Sequence, residues 1–236
     1  MCGQDARTTL LAPGGAIMTA TRAVILDFDG VVLESADIKT EAFRELFADR
    51  PRHVDAIVAY HLANAGISRF VKFDWIYQEL LHEPLSEAER LALSERFSAI
   101  ALHRVLTCPF VPGARDAIAA LSGRIPVFVA SGTPQAELEL IVERRGLAGR
   151  FARVWGSPTT KEQAIRAVLG ECSLAAADVV FVGDGQSDLA AAQASGACFV
   201  ARSAGGARPS WLPAGLPCIA DLRGLLPLVG LTPVRT

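Results

Sequence analysis

The chain lacks most of what would mark a nucleic-acid binder, a membrane protein or a disulfide scaffold. Its 236 residues carry 23 Lys and Arg against 25 Asp and Glu, so no cationic excess is available for a phosphate backbone or an anionic bilayer. No apolar run approaches the roughly 18 residues of a spanning helix. Neither nucleic acid nor membrane is therefore an expected partner. The five cysteines (Cys2, Cys108, Cys172, Cys198, Cys218) are odd in number and scattered, with no Cys-x-x-Cys pair. That usage fits a reduced, cytoplasmic protein in which they serve as small apolar side chains. The four histidines (His53, His61, His82, His103) show neither zinc spacing nor a partner cysteine, and read as surface or helix-packing residues. Residues 1–20 lack periodicity and the basic start and long apolar core of a signal peptide, and are expected to form a flexible N-terminal tail. Met18 is an alternative natural start.

What the chain does have is apolar bulk, 51% of its residues, enough for one large domain or a domain plus a small insert. Ala23-Val24-Ile25-Leu26 reads as a strand buried on both faces. It ends abruptly in Asp27-Phe28-Asp29-Gly30. Two acids at the end of an apolar strand are costly unless neutralised, and a hard cation such as Mg2+ is the usual answer. The plainer alternative is an Asp-Gly turn whose acids face water.

From Leu33 to about Thr107 the pattern becomes helical. Ile38, Ala42, Phe43, Leu46 and Phe47 fall at helical spacing; so do Phe70, Phe73, Ile76, Tyr77 and Leu80, and then Leu91, Phe97, Ile100 and Val105. Cys108-Pro-Phe-Val-Pro-Gly113 is a double-proline connector. Beyond it strands and helices alternate. The strands are expected at Pro126–Ala130, Phe151–Trp155, Asp178–Gly183, Ala197–Ala201 and Cys218–Ala220, with a last helix near Leu222–Val229. Pro134 suits the first turn of the helix that follows Ser131-Gly132-Thr133. This alternation predicts an α/β fold: a doubly wound parallel sheet as core (21–33 and 108–236) with a small all-helical insert at 34–107 after the first strand.

Sites in such sheets lie at the carboxyl ends of strands, and each polar cluster of this sequence falls there. Asp27 could attack phosphorus as a nucleophile, with a divalent ion suppressing repulsion between the two anions. Asp29 could protonate the leaving oxygen and later deprotonate a water. Ser131 with the amides of Gly132 and Thr133 could hold phosphoryl oxygens at a helix start. Lys161 would add a fixed positive charge, and Asp184 and Asp188 would complete or support an all-oxygen metal site with Asp27 and the Asp29 carbonyl. Each signal alone has an ordinary structural reading as a helix cap or a solvated charge.

Together, Asp27-x-Asp29-Gly30-Val31, Ser131-Gly-Thr, Lys161 and Gly183-Asp184-x-x-x-Asp188 resemble the four motifs of the haloacid dehalogenase superfamily, in order and over roughly residues 22–201. The resemblance implies a Rossmann-like core, an inserted helical cap, Mg2+ and an aspartyl-phosphate intermediate. Dehalogenases and phosphonatases of that superfamily generally lack the second acid, so Asp29 favours phosphate esters; no pump-like membrane segment exists. Val31 and Gly66-Ile-Ser-Arg69 look like β-phosphoglucomutases, and Leu33-Glu-Ser35 looks like phosphoglycolate phosphatases. Those mutases usually carry a histidine where this chain has Ile38-Lys39-Thr40, and Ser157-Pro-Thr-Thr-Lys161 lacks the Lys-Pro pair common in both groups. The expectation is a phosphatase of a small phosphorylated metabolite, with a sugar phosphomutase as the alternative. Arg69 and Lys39 are the expected substrate contacts from the cap, alongside Gly30 from the core.

Overall fold

The computed structural model describes residues 21–231, and the expected tail over residues 1–20 lies outside them. Among the described residues six strands make one sheet, all pairs parallel: β1 (Ala23–Leu26), β2 (Val127–Pro134), β3 (Arg153–Ser157), β4 (Val179–Gly183), β5 (Cys198–Arg202) and β6 (Cys218–Ile219). Their order across the sheet is β3-β2-β1-β4-β5-β6. β1 therefore lies between β2 and β4, where the winding reverses, and a doubly wound sheet opens its crevice at the strand ends there.

Successive side chains of a strand face opposite ways, so β1 feeds two cores at once. Val24 and Leu26 join one cluster, and Ala23 and Ile25 join the other, all four fully buried. Among the described residues five α-helices precede the second strand: α1 (Ala36–Leu46), α2 (Val54–Ala63), α3 (Arg69–Trp75), α4 (Glu87–Thr107) and α5 (Ala114–Ser122). Then come α6 (Gln135–Arg144), α7 (Lys161–Glu171), α8 (Gln186–Ser195) and the short α9 (Leu225–Leu228). The first four helices enclose a separate apolar cluster built on Phe43, Phe47, Phe73 and Phe97. Phe43 lies 4.9 Å from Phe97 and 5.9 Å from Phe73 between ring centroids, in tilted pairs of the kind aromatic rings prefer.

Departures from the expected pattern have local causes. The second strand runs on through Ser131-Gly-Thr to Pro134, with irregular pairing between Ala130 and Pro134, so Pro134 precedes the helix instead of sitting inside it. The run from Phe70 to Leu80 is α3 followed by a π-helical turn, Ile76–Leu81. α2 has no counterpart among the periodic runs, because Val54-Asp-Ala-Ile-Val-Ala-Tyr-His-Leu-Ala is apolar on every side and shows no stripe. The final helix is a 3-10 turn, Leu222–Gly224, leading into α9.

Two connectors join the four-helix insert to the sheet, and they bond to each other. Glu34 N–H donates to the Pro109 carbonyl at 3.0 Å and Val111 N–H to the Val32 carbonyl at 3.0 Å, beside a bridge between Leu33 and Phe110. No helix among the described residues is long and apolar enough to cross a membrane.

Candidate active site

Three neighbouring strand ends supply the site. β1 delivers Asp27 and Asp29, β2 delivers Ser131 and Thr133, β4 delivers Asp184, and the start of α7 delivers Lys161. Asp27, Lys161 and Asp188 are almost wholly buried. Lys161 Nζ lies 3.0 Å from Asp27 Oδ2 and forms a tighter contact with Asp188 Oδ1. One ammonium thus bridges two carboxylates. Burial alone would depress the Lys161 ammonium, but Asp188 and Asp27 outweigh it and hold it above its ordinary value.

The other oxygen of Asp188 accepts the N–H groups of Asp184 at 3.2 Å and Gly185 at 3.0 Å. Asp188 therefore fixes both Lys161 and the loop that carries Asp184. Gly183 has no room for a side chain there, since a Cβ would lie 2.3 Å from that of Asp188.

Oxygens of Asp27, Asp184 and Asp188 lie within 4.8 Å of one another. Burial, then repulsion from Asp188, Asp184 and Asp29, raises the Asp27 carboxyl well above the usual range, against the pull of Lys161. Burial and Asp188 push Asp184 up to about 7. Buried acids that repel each other and offer only oxygen donors fit a hard divalent cation, which would relieve that repulsion. Asp27, Asp184 and Asp188 could each offer it an oxygen, Asp27 through atoms that also meet Lys161 and the Phe28 N–H, Asp188 through atoms that also meet Lys161 and two loop amides.

Asp29 is arranged differently. Its Oδ2 lies 2.5 Å from Lys39 Nζ and accepts from Thr133 Oγ1 at 3.1 Å, and its Oδ1 accepts from Ser35 Oγ at 2.6 Å. Burial would raise its pKa, but the Lys39 ammonium and these hydrogen bonds outweigh it, so the carboxyl lies below its ordinary value.

Ser131, expected to grip a phosphoryl group, donates weakly toward Asp29 at 3.4 Å and accepts the Thr133 N–H at 3.1 Å. The Thr133 amide is thus spent on a local turn, and α6 opens two residues later. Gly132 and Thr133 nonetheless line the cavity above Asp27 and Asp29, whereas Gly30 does not. Gly30 has φ +76°, and a Cβ there would come 2.0 Å from Asp184 Oδ2, so packing and backbone conformation require the glycine.

From the insert, Lys39 reaches the site and also touches Thr133 Oγ1 at 2.6 Å. Arg69 lines the cavity too, but its guanidinium is committed elsewhere: to Glu137 at 2.7 Å, to Ser98 Oγ at 2.7 Å, and over the Phe97 ring at 4.4 Å. Arg69 and Lys72 share one face of α3, as their spacing predicts, and both are buried. Several groups had no distinguishing sequence signal. Glu137 holds the insert to α6, Ser187 Oγ donates to the Ala65 carbonyl at 2.6 Å, and the Ser68 and Ser157 hydroxyls meet at 2.8 Å. His61, one of the expected helix-packing histidines, is buried at the cavity wall 2.9 Å from Lys72. The cavity lined by Asp27, Asp29, Lys39, His61, Arg69 and Lys72 is about 110 Å³, smaller than the roughly 300–1,000 Å³ of a drug-sized pocket.

A family model for haloacid dehalogenase-like hydrolases matches residues 21–196. No curated protein matches the sequence significantly. Among solved structures, a hydrolase from Pseudomonas syringae superposes with a TM-score of 0.70 at 16% identity, covering 87% of this chain and 96% of its own. CbbY from Rhodobacter sphaeroides, solved with phosphate, gives 0.69 at 22% identity, covering 89% and 99%. A "predicted phosphoglycolate phosphatase" from Haemophilus somnus gives 0.65 at 18%, covering 89% and 98%. At such identities the solved structures establish a shared fold, and the family match over residues 21–196 carries the assignment: this chain belongs to the haloacid dehalogenase-like hydrolases.

Proposed function

We propose that the chain is a Mg2+-dependent phosphatase that acts on a small phosphorylated metabolite, such as a sugar phosphate or a phosphoglycolate-like ester, through a phosphoryl group carried on Asp27. The observation that carries this reading is the pairing of two acids with separate sets of partners at the end of β1. Asp27 lies against Lys161 beside the oxygen cluster, while Asp29 is held apart by cap residues. Bound Mg2+ would offset the charge gathered on the phosphate and on the nucleophile.

The rest falls to the chain's own residues. Asp27 Oδ bonds to phosphorus as the bond to the leaving oxygen breaks, and Asp29 gives that oxygen a proton. Asp29 then takes a proton from water, whose oxygen displaces Asp27 and releases inorganic phosphate. Asp29 must be protonated for the first step, yet Lys39 favours its ionised form in the resting site. An incoming phosphate dianion competes for Lys39, and its departure lets burial raise Asp29 to the protonated form. Ser131, Gly132 and Thr133 bound the phosphoryl position, Lys161 orients Asp27, and Asp188 anchors Lys161. Arg69 seats the cap through Glu137. We place the cap at residues 34–107 and the hinge at the paired connectors.

A mutase of the β-phosphoglucomutase type is the second reading, favoured by the Gly66–Arg69 loop resting on the core beside Ser131-Gly-Thr. The test is a panel of small phosphate esters incubated with Mg2+, reading released phosphate and isomerised product separately. Released phosphate, abolished in Asp27→Asn, is expected; isomer without phosphate would favour the mutase. Turnover of Asp27→Asn within about tenfold of wild type, with contaminants and reversion to Asp excluded, would overturn the covalent mechanism.

A further inference from the structure

The cations in and beside the cavity are unequally supplied with counter-charges. Lys161 has Asp27 and Asp188, Lys39 has Asp29, and Arg69 has Glu137. Lys72 also lines the cavity, 2% exposed, and among the described residues it has no carboxylate partner. Its ammonium meets the Nδ1 of His61 at 2.9 Å and the His61 carbonyl at 3.4 Å, and lies 5.6 Å from the centre of the Phe43 ring. Two of its three hydrogens are accounted for by acceptors that are formally neutral.

His61 is in no position to supply charge. It is 7% exposed, with its ring centroid 4.6 Å from that of Phe43, and burial beside Lys72 pushes its pKa down to about 3. As a neutral ring it can only accept from Lys72 through Nδ1, which orients the ammonium without neutralising it. Burial and the ammonium groups of Lys39 and Lys161 push Lys72 itself down to about 7. A buried cation without a counter-ion is destabilising, and its costs fall when an anion arrives.

We propose that Lys72, oriented by His61, is the receptor for a second anionic group on the substrate, a carboxylate or a further phosphate on the same small molecule whose phosphoryl group is transferred to Asp27. This rests on the phosphatase reading of the site and narrows its substrate class to phosphate esters with two anionic ends. The position on α3, opposite the strand ends that hold Asp27 and Asp29 across one small cavity, suits a short molecule spanning cap and core. Arg69, the neighbouring cation on the same face, is already held by Glu137 and Ser98.

The test uses matched esters that differ by the second charge. Phosphoglycolate is paired with ethyl phosphate for the carboxylate arm, and 1,3-propanediol bisphosphate with propyl phosphate for the phosphate arm. p-Nitrophenyl phosphate serves as a general reporter of phosphatase activity. In Mg2+, wild type should favour the doubly anionic member of at least one pair by about tenfold or more in kcat/KM. Lys72→Met should cut that ratio by at least about tenfold, and Lys72→Arg should keep part of it. Lys72→Gln, which also removes the charge, replaces the methionine variant if the latter does not fold. Hydrolysis of p-nitrophenyl phosphate with no preference in either pair would overturn the inference and leave the phosphatase reading intact. A ratio unchanged in the uncharged variant would also overturn it, by placing Lys72 on the transferred phosphate or in a structural role. If no ester, p-nitrophenyl phosphate included, is hydrolysed, the phosphatase reading fails and this inference falls with it.

Discussion

Lys39 Nζ lies 2.5 Å from Asp29 Oδ2, so a lysine on the first helix of the insert neutralises the second acid of the β1 end. The same ammonium touches Thr133 at 2.6 Å, which ties α1 to two strands of the core. An anion entering the cavity therefore meets a cation that it can draw away from Asp29. Lys39→Met should raise KM for p-nitrophenyl phosphate by about tenfold, with a smaller effect on kcat, and Lys39→Arg should fall between the two. A KM unchanged in the methionine variant would mean that Lys39 never leaves Asp29.

Metal binding should be visible without turnover. A ligand at 100 times its Kd stabilises a protein by about 2.7 kcal/mol, which for a chain of this size is roughly 5–10 °C in Tm. Protein stripped with a chelator should gain such a shift on adding Mg2+. Asp184→Asn should lose most of it. An equal shift in both proteins would place the ion elsewhere.

His61 gives a pH dependence whose sign is fixed by its burial. Its pKa of about 3 in the folded protein lies below the ordinary 6.5, so the unfolded chain binds the proton more readily. The stability this represents is fully present above pH 6.5 and is lost as pH falls toward 3. Between pH 6.5 and 4, wild type should lose roughly 3 kcal/mol more than His61→Gln does, measured by urea unfolding at both values. Lys72, at about 7 in the folded state, is largely protonated in both states over that range and adds little slope. Parallel losses in the two proteins would show that His61 is not held neutral.

Arg69 is expected to matter for the seating of the insert. Its ion pair with Glu137 is largely buried, and Ser98 Oγ also donates to Glu137, at 2.5 Å. Arg69→Ala strands that carboxylate and should cost about 3 kcal/mol, on the order of 10 °C in Tm. Activity on p-nitrophenyl phosphate and on larger esters should fall by similar factors. A loss confined to the larger esters would return Arg69 to direct substrate contact.

These outcomes turn on features that were unevenly legible in the amino-acid sequence. The four apolar residues of β1, the alternation of strands and helices, and the apolar spacing around Phe43, Phe73 and Phe97 all express burial, which leaves a periodic trace. The six-stranded sheet and the helical insert follow from them. The strand-end acids were visible because carboxylates break an apolar run. Partner choice leaves no such trace. Nothing in the spacing of Arg69 and Lys72 says that one meets Glu137, 68 positions away, while the other meets the imidazole and carbonyl of His61. Nor does Ser131-Gly-Thr reveal that the Thr133 amide is taken up by Ser131. α2 was missed for the opposite reason, being apolar on all sides.

Gly132 has a consequence for how the two parts of the molecule meet. A Cβ at this position would lie 2.7 Å from the Gly66 carbonyl oxygen and 2.8 Å from the Ile67 carbonyl group, so the rim closes main chain against main chain. The glycine is there for clearance, and any side chain would act as a shim, parting the two loops by roughly 1 Å. A gap of that width along a seam around so small a chamber weakens the barrier to solvent at the place where an acyl phosphate would have to outlast the exchange of leaving group for water. On the phosphatase reading, the choice of acceptor for the phosphoryl group would depend on how tightly the seam shuts, and tightness here depends on an absent methyl group.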